Sequence, residues 1–434
     1  MKIPPVKGTR DFYPPDMAVR NWIIDGWKKA SIRNGFEEYD GPIFEYLKMF
    51  QIKSGDEIVE QLFSLTDRGG RDLALRPEIT PTLARMVNQR INSLPKPIKW
   101  FSVPRLFRAE RPQKGRLREF FQWNIDIIGE DSVLADAEVI FTTVDYLRQI
   151  KITNRDIRVK ISSRKLLSSA LLNTGVPQNK LNSLYVLLDK YKKLPNDTFN
   201  QLLHEQVINS SIAGKIMDFM QAETLSLIPE IIGSSAEVDE AIQELAQLKE
   251  WLSQMGVWRY CDFDPSIVRG LAYYTGVVFE VHEFSQELRA ICGGGRYDNL
   301  LKDFGGPSIP ATGMGMGDCV LGILLEEKGI LDKQIAKPKL DYFIAYVDES
   351  YRDTSVQVAM KLRSKGFPAN FSYKVIKLNK QLKQASEQNA VNCIIIGEEF
   401  KENKLVVKNM ATGDQELVDY DEFLSRLEIG SETK

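Results

Sequence analysis

The chain has few residues suited to metal binding or to proton transfer at neutral pH. Of its 434 residues only two are histidines and four are cysteines, and no two cysteines form a CxxC pair. A histidine base or a histidine-rich metal site is therefore not expected, and we interpret His204 and His282 as structural residues. Unpaired, scattered cysteines favour reduced thiols in the cytoplasm over a disulfide framework.

Long apolar segments and a dominant charge are also missing. No run approaches the roughly 18 consecutive apolar residues of a membrane span, so no membrane association is expected. The N-terminus has no apolar core of signal-peptide length. With 57 basic and 59 acidic residues, any surface for a polyanion must be local. The absence of a GxxxxGK[ST] sequence argues against a P-loop nucleotide site.

A change in character along the chain indicates two domains. Residues 1–330 mix strand-like and helical stretches, and a leucine-rich helical insertion is predicted at about 170–240. Residues 331–338 have the composition of a linker. From 339 to 434, strand and helix patterns alternate, which predicts a small α/β domain.

The densest cluster of positive charge lies in residues 107–129, "FRAERPQKGRLREFFQWNIDIIG". A polar loop separates two strand-like runs, so Arg108 before the turn and Arg116 after it can face one pocket. Guanidinium groups bind phosphate oxygens bidentately and keep their charge when desolvated. The pattern favours a triphosphate ligand, and a solvated hairpin tip is the alternative.

The run after this loop alternates between apolar and polar residues, as a strand with two different faces does. The apolar face consists of Phe121, Trp123, Ile125 and Ile127. The other face carries Gln122, Asn124 and Asp126, which together can bind an ammonium or a ring N–H. The alternative for this polar face is exposure to solvent on an edge strand.

Three further segments carry candidate binding residues. In "LRPEIT", Glu78 suits an α-ammonium group, and Thr80 suits either the ligand or the N-cap of the following helix. "VRGLAYYTG" contains Arg269 and Tyr274. In "CGGGRYD", three glycines lead to Arg296, which permits close approach of a ligand to the backbone or forms an ordinary loop.

Together these stretches resemble histidyl-tRNA synthetases, a family of class II aminoacyl-tRNA synthetases, over nearly the whole chain. "KGTRDFYPP" is similar to the family's N-terminal signature, "GPIFE" to its dimer-forming first motif, and "FRAERPQKGRLREFFQ" to its second motif. "RGLAYYTG" resembles the histidine-specific signature, and "GGGRYDNLL" with "GMGMGDCVLGILL" resembles the region of the third motif.

The resemblance implies an α+β fold with a class II antiparallel sheet core and a helical insertion in residues 1–330. It further implies an α/β anticodon-binding-type domain in residues 339–434. The implied activity is ATP- and Mg²⁺-dependent activation of L-histidine and its transfer to tRNA(His) in the cytoplasm. A homodimer is implied by "GPIFE", and Trp22 and Trp27 are expected to add apolar area to its interface.

The resemblance also assigns roles to individual residues. Arg108 and Arg269 are the implied catalytic residues. The implied ATP ligands are Arg108, Arg116 and Arg296. The implied histidine-binding residues are Glu78, Thr80, Gln122, Asp126, Tyr273 and Tyr274. Arg111 and Gln113 are expected to meet the tRNA acceptor end, and no metal-binding residue is implied.

Two positions depart from the family pattern. Ala272 stands where the family usually has Asp, and Val320 stands where class II enzymes place an ATP-binding arginine. The second change is expected to weaken contact with the γ-phosphate. An alternative function is that of a non-catalytic paralogue that senses histidine or regulates a partner, but the predicted anticodon-type domain favours the ligase.

Lysines recur every three residues in the C-terminal domain, in a stretch predicted to be helical from residue 374. They are Lys374, Lys377, Lys380 and Lys383. A basic stripe for tRNA is the prediction, and a solvated helix face is the alternative.

Overall fold

The computed structural model describes residues 3–52, 62–207, 209–268, 274–285, 287–335 and 340–427. The chain divides into two compact units, Met1–Asp332 and Lys333–Lys434, and each unit has its own hydrophobic core. Arg269, Ala272 and Tyr273 lie outside the described residues. Within the ranges given, no helix is both long enough and apolar enough to cross a membrane.

Strands of the first unit form two sheets. The strands are β1 (Glu37–Glu38), β2 (Phe44–Tyr46), β3 (Ser64–Thr66), β4 (Asp72–Leu75), β5 (Ile98–Ser102), β6 (Arg105–Phe107), β7 (Glu119–Ile128), β8 (Ile157–Ser163), β9 (Cys261–Phe263), β10 (Val277–Glu283), β11 (Cys292–Arg296) and β12 (Ala311–Gly317). The large sheet has the order β1-β5-β7-β12-β11-β10-β8-β9, with β6 also paired to β7, and the small sheet has the order β2-β4-β3.

Antiparallel pairing dominates the large sheet. Only the outer pairs, β1 with β5 and β8 with β9, run parallel among its described strands. The central strand β7 pairs antiparallel with β5 through residues 124–128 and with β12 through residues 122–128. The predicted antiparallel sheet core is thereby confirmed.

The helices of the first unit pack on the two sheets or form the insertion. They are α1 (Pro14–Arg33), α2 (Leu47–Gln51), α3 (Thr80–Arg90), α4 (Val133–Gln149), α5 (Arg164–Asn173), α6 (Leu181–Leu188), α7 (Asn196–Gln206), α8 (Ser210–Met220), α9 (Ile228–Ile232), α10 (Ala236–Gln254), α11 (Leu300–Asp303) and α12 (Asp318–Glu327). A short helix, α13 (Leu331–Gln334), spans the boundary between the units.

The main core lies between β7 and the helices α1 and α4. The Trp123 ring of β7 stacks on Trp27 of α1 at a centroid distance of 6.3 Å and meets Tyr146 of α4 edge-on at 5.4 Å. The Trp123 indole N–H donates to Ser31 Oγ at 2.8 Å, which satisfies its one polar group. Because Trp27 is fully buried here, the prediction that it contributes to a dimer interface is wrong.

A buried ion pair fixes α4 to this face of the sheet. Arg296 of β11 donates from Nε and Nη2 to Asp136 Oδ2 at 2.9 and 2.6 Å. Its remaining N–H groups donate to the carbonyl oxygens of Glu130 and Ser132 at 3.0 and 2.9 Å. Arg296 is 4% exposed and its charge is matched, so it belongs to the structural core.

The second unit is a mixed α/β domain. Its elements are β13 (Leu340–Tyr346), α14 (Arg352–Ser364), β14 (Ala369–Phe371), α15 (Leu378–Glu387), β15 (Ala390–Ile396), β16 (Lys404–Asn409), β17 (Gln415–Asp419) and α16 (Tyr420–Arg426). The strand order is β14-β13-β15-β16-β17, with the first three parallel and the last two antiparallel. The predicted C-terminal α/β domain is confirmed.

The lysine stripe predicted for this domain does not form as a helical feature. The helix α15 begins at Leu378, so Lys374 and Lys377 precede it and only Lys380 and Lys383 lie on it. A three-residue spacing cannot align side chains across a helix boundary, and the prediction of one basic helix face is wrong.

We predict that Arg296→Ala lowers the free energy of unfolding of the first unit by about 3–5 kcal/mol, because Asp136 is left as an uncompensated buried charge. All six tryptophans lie in this unit, so denaturant unfolding followed by tryptophan fluorescence reports it directly. Lys193→Ala is the control, since its pair with Asp189 is exposed and its loss should change stability by less than about 1 kcal/mol. Equal losses in the two variants would contradict the structural role of Arg296.

Candidate functional site

The face of the large sheet opposite α1 and α4 has a glycine floor, formed by Gly293, Gly295, Gly313 and Gly315 of β11 and β12. These glycines are register partners in adjacent strands. A Cβ atom at Gly313 would lie 2.1 Å from Asp126 Oδ1, and one at Gly315 would lie 2.9 Å from the Gln122 side chain. The missing side chains leave space above the sheet where a ligand can approach the backbone closely.

A polar row from β7 borders the glycine floor. Asn124 Nδ2 donates to the carbonyl oxygen of Gln122 at 3.0 Å, and Asn124 and Asp126 are both buried. The predicted alternation of β7 is confirmed, with Trp123, Ile125 and Ile127 in the core on the other face. Since β7 lies inside the sheet, the alternative of a solvated edge strand is wrong.

Asp126 has one carboxylate oxygen that is satisfied and one that is not. The Tyr297 hydroxyl donates to Oδ1. Oδ2 is buried and has no hydrogen-bond partner among the described residues. Burial raises the pKa of Asp126 to about 7, although the hydrogen bond from Tyr297 opposes this shift. An unpaired buried acceptor of this kind costs about 1–3 kcal/mol and suits a ligand N–H.

Tyrosine side chains surround Asp126 on this face. Tyr274, Tyr297 and Tyr39 belong to one cluster of buried residues, together with Ile79. An added Cβ at Gly295 would lie 3.0 Å from the Tyr274 ring, which places that ring over the glycine floor. Tyr297 and Tyr39 were not predicted. Alternation along the strand after the glycine run could have predicted that Tyr297 lies on this face, whereas no sequence motif marks Tyr39.

Arg296 is not on this face. It precedes Tyr297 by one residue, and successive strand residues point to opposite faces. Its guanidinium is bound to Asp136 on the helix-covered side, as described above. The prediction that Arg296 binds ATP is therefore wrong.

Arg108 lies at the end of the polar row. Its Nε donates to the carbonyl oxygen of Pro77 at 3.1 Å, and its guanidinium carbon lies 5.1 Å from the centroid of the Phe120 ring. These contacts join the second-motif hairpin to the segment that carries Glu78. Thr80 is the first residue of α3 and follows the cap residue Ile79, so the N-cap role considered for Thr80 is not adopted.

The loop between β6 and β7 ends in a tight hairpin tip. Gln113 and Arg116 exchange two backbone hydrogen bonds of 2.9 Å each, and Arg116 forms an ion pair with Glu110. The Gln113 side chain accepts a hydrogen bond from Arg289. Arg111 is exposed in the same loop.

Val320 of α12 packs against this hairpin tip. A Cβ atom at Gly115 would lie 3.0 Å from Val320 Cγ2. At the position where the family that this chain resembles has an arginine, Val320 therefore makes an apolar contact between α12 and the loop.

Comparisons with known proteins find relatives that match nearly the whole chain. The family described as histidyl-tRNA synthetase matches residues 8–317, and the anticodon binding domain family matches residues 341–428. The chain is 39% identical over 412 residues to the chloroplastic/mitochondrial histidine–tRNA ligase of Arabidopsis thaliana, covering 95% of this chain and 84% of that protein. It is 36% identical over 409 residues to the histidine–tRNA ligase of Opitutus terrae, covering 93% of each.

A solved structure shares the fold over almost the full length. The histidyl-tRNA synthetase from Nostoc sp. PCC 7120 matches with a TM-score of 0.81 at 24% identity, covering 98% of this chain and 99% of that chain.

We predict that Asp126→Asn stabilises the protein more at pH 8 than at pH 5. The folded pKa of about 7 lies above the usual unfolded value of about 3.9, so the free energy of unfolding of the wild type falls as pH rises between these values. A neutral asparagine removes this fall while it keeps the shape of the side chain.

Melting temperatures of both proteins across this pH range measure the effect. Asp25→Asn, an exposed substitution on α1, is the control and should show no such trend. If the Asp126→Asn and wild-type curves run parallel from pH 5 to pH 8, burial does not raise the pKa of Asp126.

Proposed function

The chain belongs to the histidyl-tRNA synthetase family, and on that premise we propose that it is a histidine–tRNA ligase. It condenses L-histidine with ATP to histidyl-adenylate and passes the histidyl group to the 3′ end of tRNA(His). The observation that carries this proposal is the buried Oδ2 of Asp126, which lies beside the glycine floor and has no partner among the described residues. A ring N–H of the amino acid would satisfy it, and few amino acid side chains offer an N–H on a ring.

Histidine binding uses both ends of the polar row. Glu78, Thr80 and Gln122 bind the α-ammonium group. Asp126 and Tyr274 bind the imidazole, together with Tyr273 from the segment outside the described residues. Support comes from the burial of Asp126 and Tyr274 beside the glycine floor, since a buried polar site strongly disfavours analogues that leave its groups unpaired.

The first chemical step is attack by a histidine carboxylate oxygen on the α-phosphorus, with pyrophosphate as the leaving group. Arg108 stabilises the charge that develops on the α-phosphate, and Arg269 acts beside it from outside the described residues. Arg116, oriented by Glu110, reaches the outer phosphates. Fixed cations and correct positioning supply the rate gain, without a covalent enzyme intermediate.

ATP enters with Mg²⁺. Among the described residues, no group of three or more His, Cys, Asp or Glu side chains is placed to hold a metal ion. The substrate phosphates and water would supply most of the magnesium ligands, with at most one or two protein carboxylates, as is common for this ion with nucleotides. The ion is part of the substrate and shields the phosphate charge.

The second step transfers the histidyl group to a ribose hydroxyl at the tRNA 3′ end, and AMP leaves. Arg111 and Gln113, at the exposed hairpin tip, meet the acceptor end. The second unit binds the anticodon, which is supported by its match to the anticodon-binding family over residues 341–428. Charging of a tRNA(His) transcript by the full chain measures this step.

The functional form is a homodimer. Phe44, Tyr46 and Leu65 lie on one face of the small sheet, because Tyr46 and Leu65 both pair with Leu73. All three apolar side chains are about half exposed. A second copy of the chain covers this face, as expected for the segment that resembles the dimer-forming motif. A mass of one chain in light scattering would contradict this assembly.

The cytoplasm is the compartment that fits the thiols. All four cysteines are free, and Cys261, Cys292 and Cys393 are buried. A reducing compartment keeps such thiols in this state.

The test of the proposed enzyme is histidine-dependent exchange of pyrophosphate into ATP. We predict that the wild type catalyses this exchange and that Arg108→Ala lowers kcat by about 100-fold or more, because its contact strengthens as charge develops at the α-phosphate. Arg105→Ala is the matched control. Its guanidinium lies near the same hairpin but pairs with Glu119 and packs on Phe121, so kcat should be unchanged.

Equal effects of the two substitutions would contradict the catalytic role of Arg108. If the wild type binds histidine yet shows no exchange at saturating ATP, the ligase proposal fails and a histidine-sensing paralogue takes its place.

A further inference from the structure

Tyr39 lies next to the site but belongs to none of the motifs that identify the family. It follows β1, and its backbone N–H donates to the carbonyl oxygen of Phe101 at 2.9 Å, which extends the pairing of β1 with β5 by one residue. Its ring packs against Trp100 at a centroid distance of 5.5 Å. Since Trp100 is the register partner of Asp126, the Tyr39 side chain lies on the same face of the sheet as Asp126.

The Tyr39 hydroxyl is buried without a hydrogen-bond partner among the described residues. The whole side chain is 8% exposed, so bulk water does not replace the missing partner. Tyrosine hydroxyls that are buried usually find a partner, and an unpaired one costs about 1–3 kcal/mol. A residue needed only for packing would be equally served by phenylalanine.

Two buried groups of complementary chemistry, each without a hydrogen-bond partner among the described residues, therefore lie on one face of the sheet. Asp126 Oδ2 is an acceptor, and the Tyr39 hydroxyl is a donor. Burial raises the pKa of Tyr39 well above its usual value, and the negative charge of Asp126 raises it further, so the hydroxyl keeps its proton. Tyr297 already occupies Oδ1 of Asp126, which leaves Oδ2 for a ligand.

We propose that Tyr39 is a further specificity-determining residue, whose hydroxyl donates a hydrogen bond to the unprotonated ring nitrogen of histidine while Asp126 accepts the N–H of the other. This inference rests on the proposed function. A neutral imidazole carries one N–H donor and one nitrogen acceptor, so it satisfies both buried groups at once. The pair selects against side chains that offer only one of the two.

The test uses Tyr39→Phe, which removes the hydroxyl and keeps the ring. Tyr146→Phe is the matched control, because the Tyr146 hydroxyl is also buried with no partner in the described ranges but lies in the core on the opposite face. Calorimetry measures the Kd of histidine and of two analogues in which another ring replaces imidazole. Thiazolylalanine keeps a ring nitrogen acceptor without an N–H, and pyrrolylalanine keeps an N–H without the acceptor.

We expect Tyr39→Phe to weaken the binding of histidine and of thiazolylalanine by about 10-fold, which corresponds to the loss of about one hydrogen bond. The Kd of pyrrolylalanine should not change. Asp126→Asn should show the converse pattern, with pyrrolylalanine weakened and thiazolylalanine retained. In pyrophosphate exchange, Tyr39→Phe should raise the KM for histidine with little change in the KM for ATP. Tyr146→Phe should match the wild type in every binding measurement.

Unchanged histidine affinity in Tyr39→Phe would overturn the inference, and so would an equal loss for all three ligands. A loss of the same size in Tyr146→Phe would overturn it too, because the effect would then come from the fold. The proposed function is judged separately by pyrophosphate exchange in the wild type. If the wild type is active and Tyr39→Phe binds histidine with unchanged affinity, only the proposed role of Tyr39 is refuted.

Discussion

The two faces of β7 are the constraint on which the first unit depends. One face of the strand places Trp123 against Trp27 and Tyr146. The alternate residues on its other face place the polar row beside the glycine floor. A strand has a side-chain period of two, so a slip of one residue would exchange the core for the site. Packing of the tryptophans therefore fixes the position of Asp126, and stability and recognition share one register.

Asp126 shows the energetic cost of this arrangement, a buried carboxylate, and its benefit, a group available to a ligand. Its burial disfavours the charged form, and one of its oxygens has no hydrogen-bond partner in the described part of the chain. Arg296, on the other face, has the opposite character, because its buried charge is matched within the protein by Asp136. The comparison separates a charge that holds the fold together from one that is held ready for a ligand.

Local sequence patterns predicted local features, but they could not predict contacts between residues that are distant in the sequence. The alternation in residues 121–127 gave both faces of β7 correctly, because period two is a property of the strand itself. Arg296 was assigned to ATP from the family resemblance, and no local pattern indicated its partner Asp136, which lies 160 residues away in the sequence. Tyr39 reaches the site only through the pairing of the first strand with β5, which no short motif encodes. The lysine spacing failed because α15 begins after Lys377.

The glycine floor has a consequence for how this gene can vary. Any single-base change in a glycine codon that alters the residue adds at least a Cβ atom, and at Gly313 that atom would collide with the carboxylate of Asp126 and with the backbone of Ile125. At this position, therefore, even the smallest amino-acid substitution disturbs the site. Substitutions can accumulate on the helices of the insertion, but the floor offers no gradual route to a differently shaped pocket, so new substrate preferences must arise from its walls.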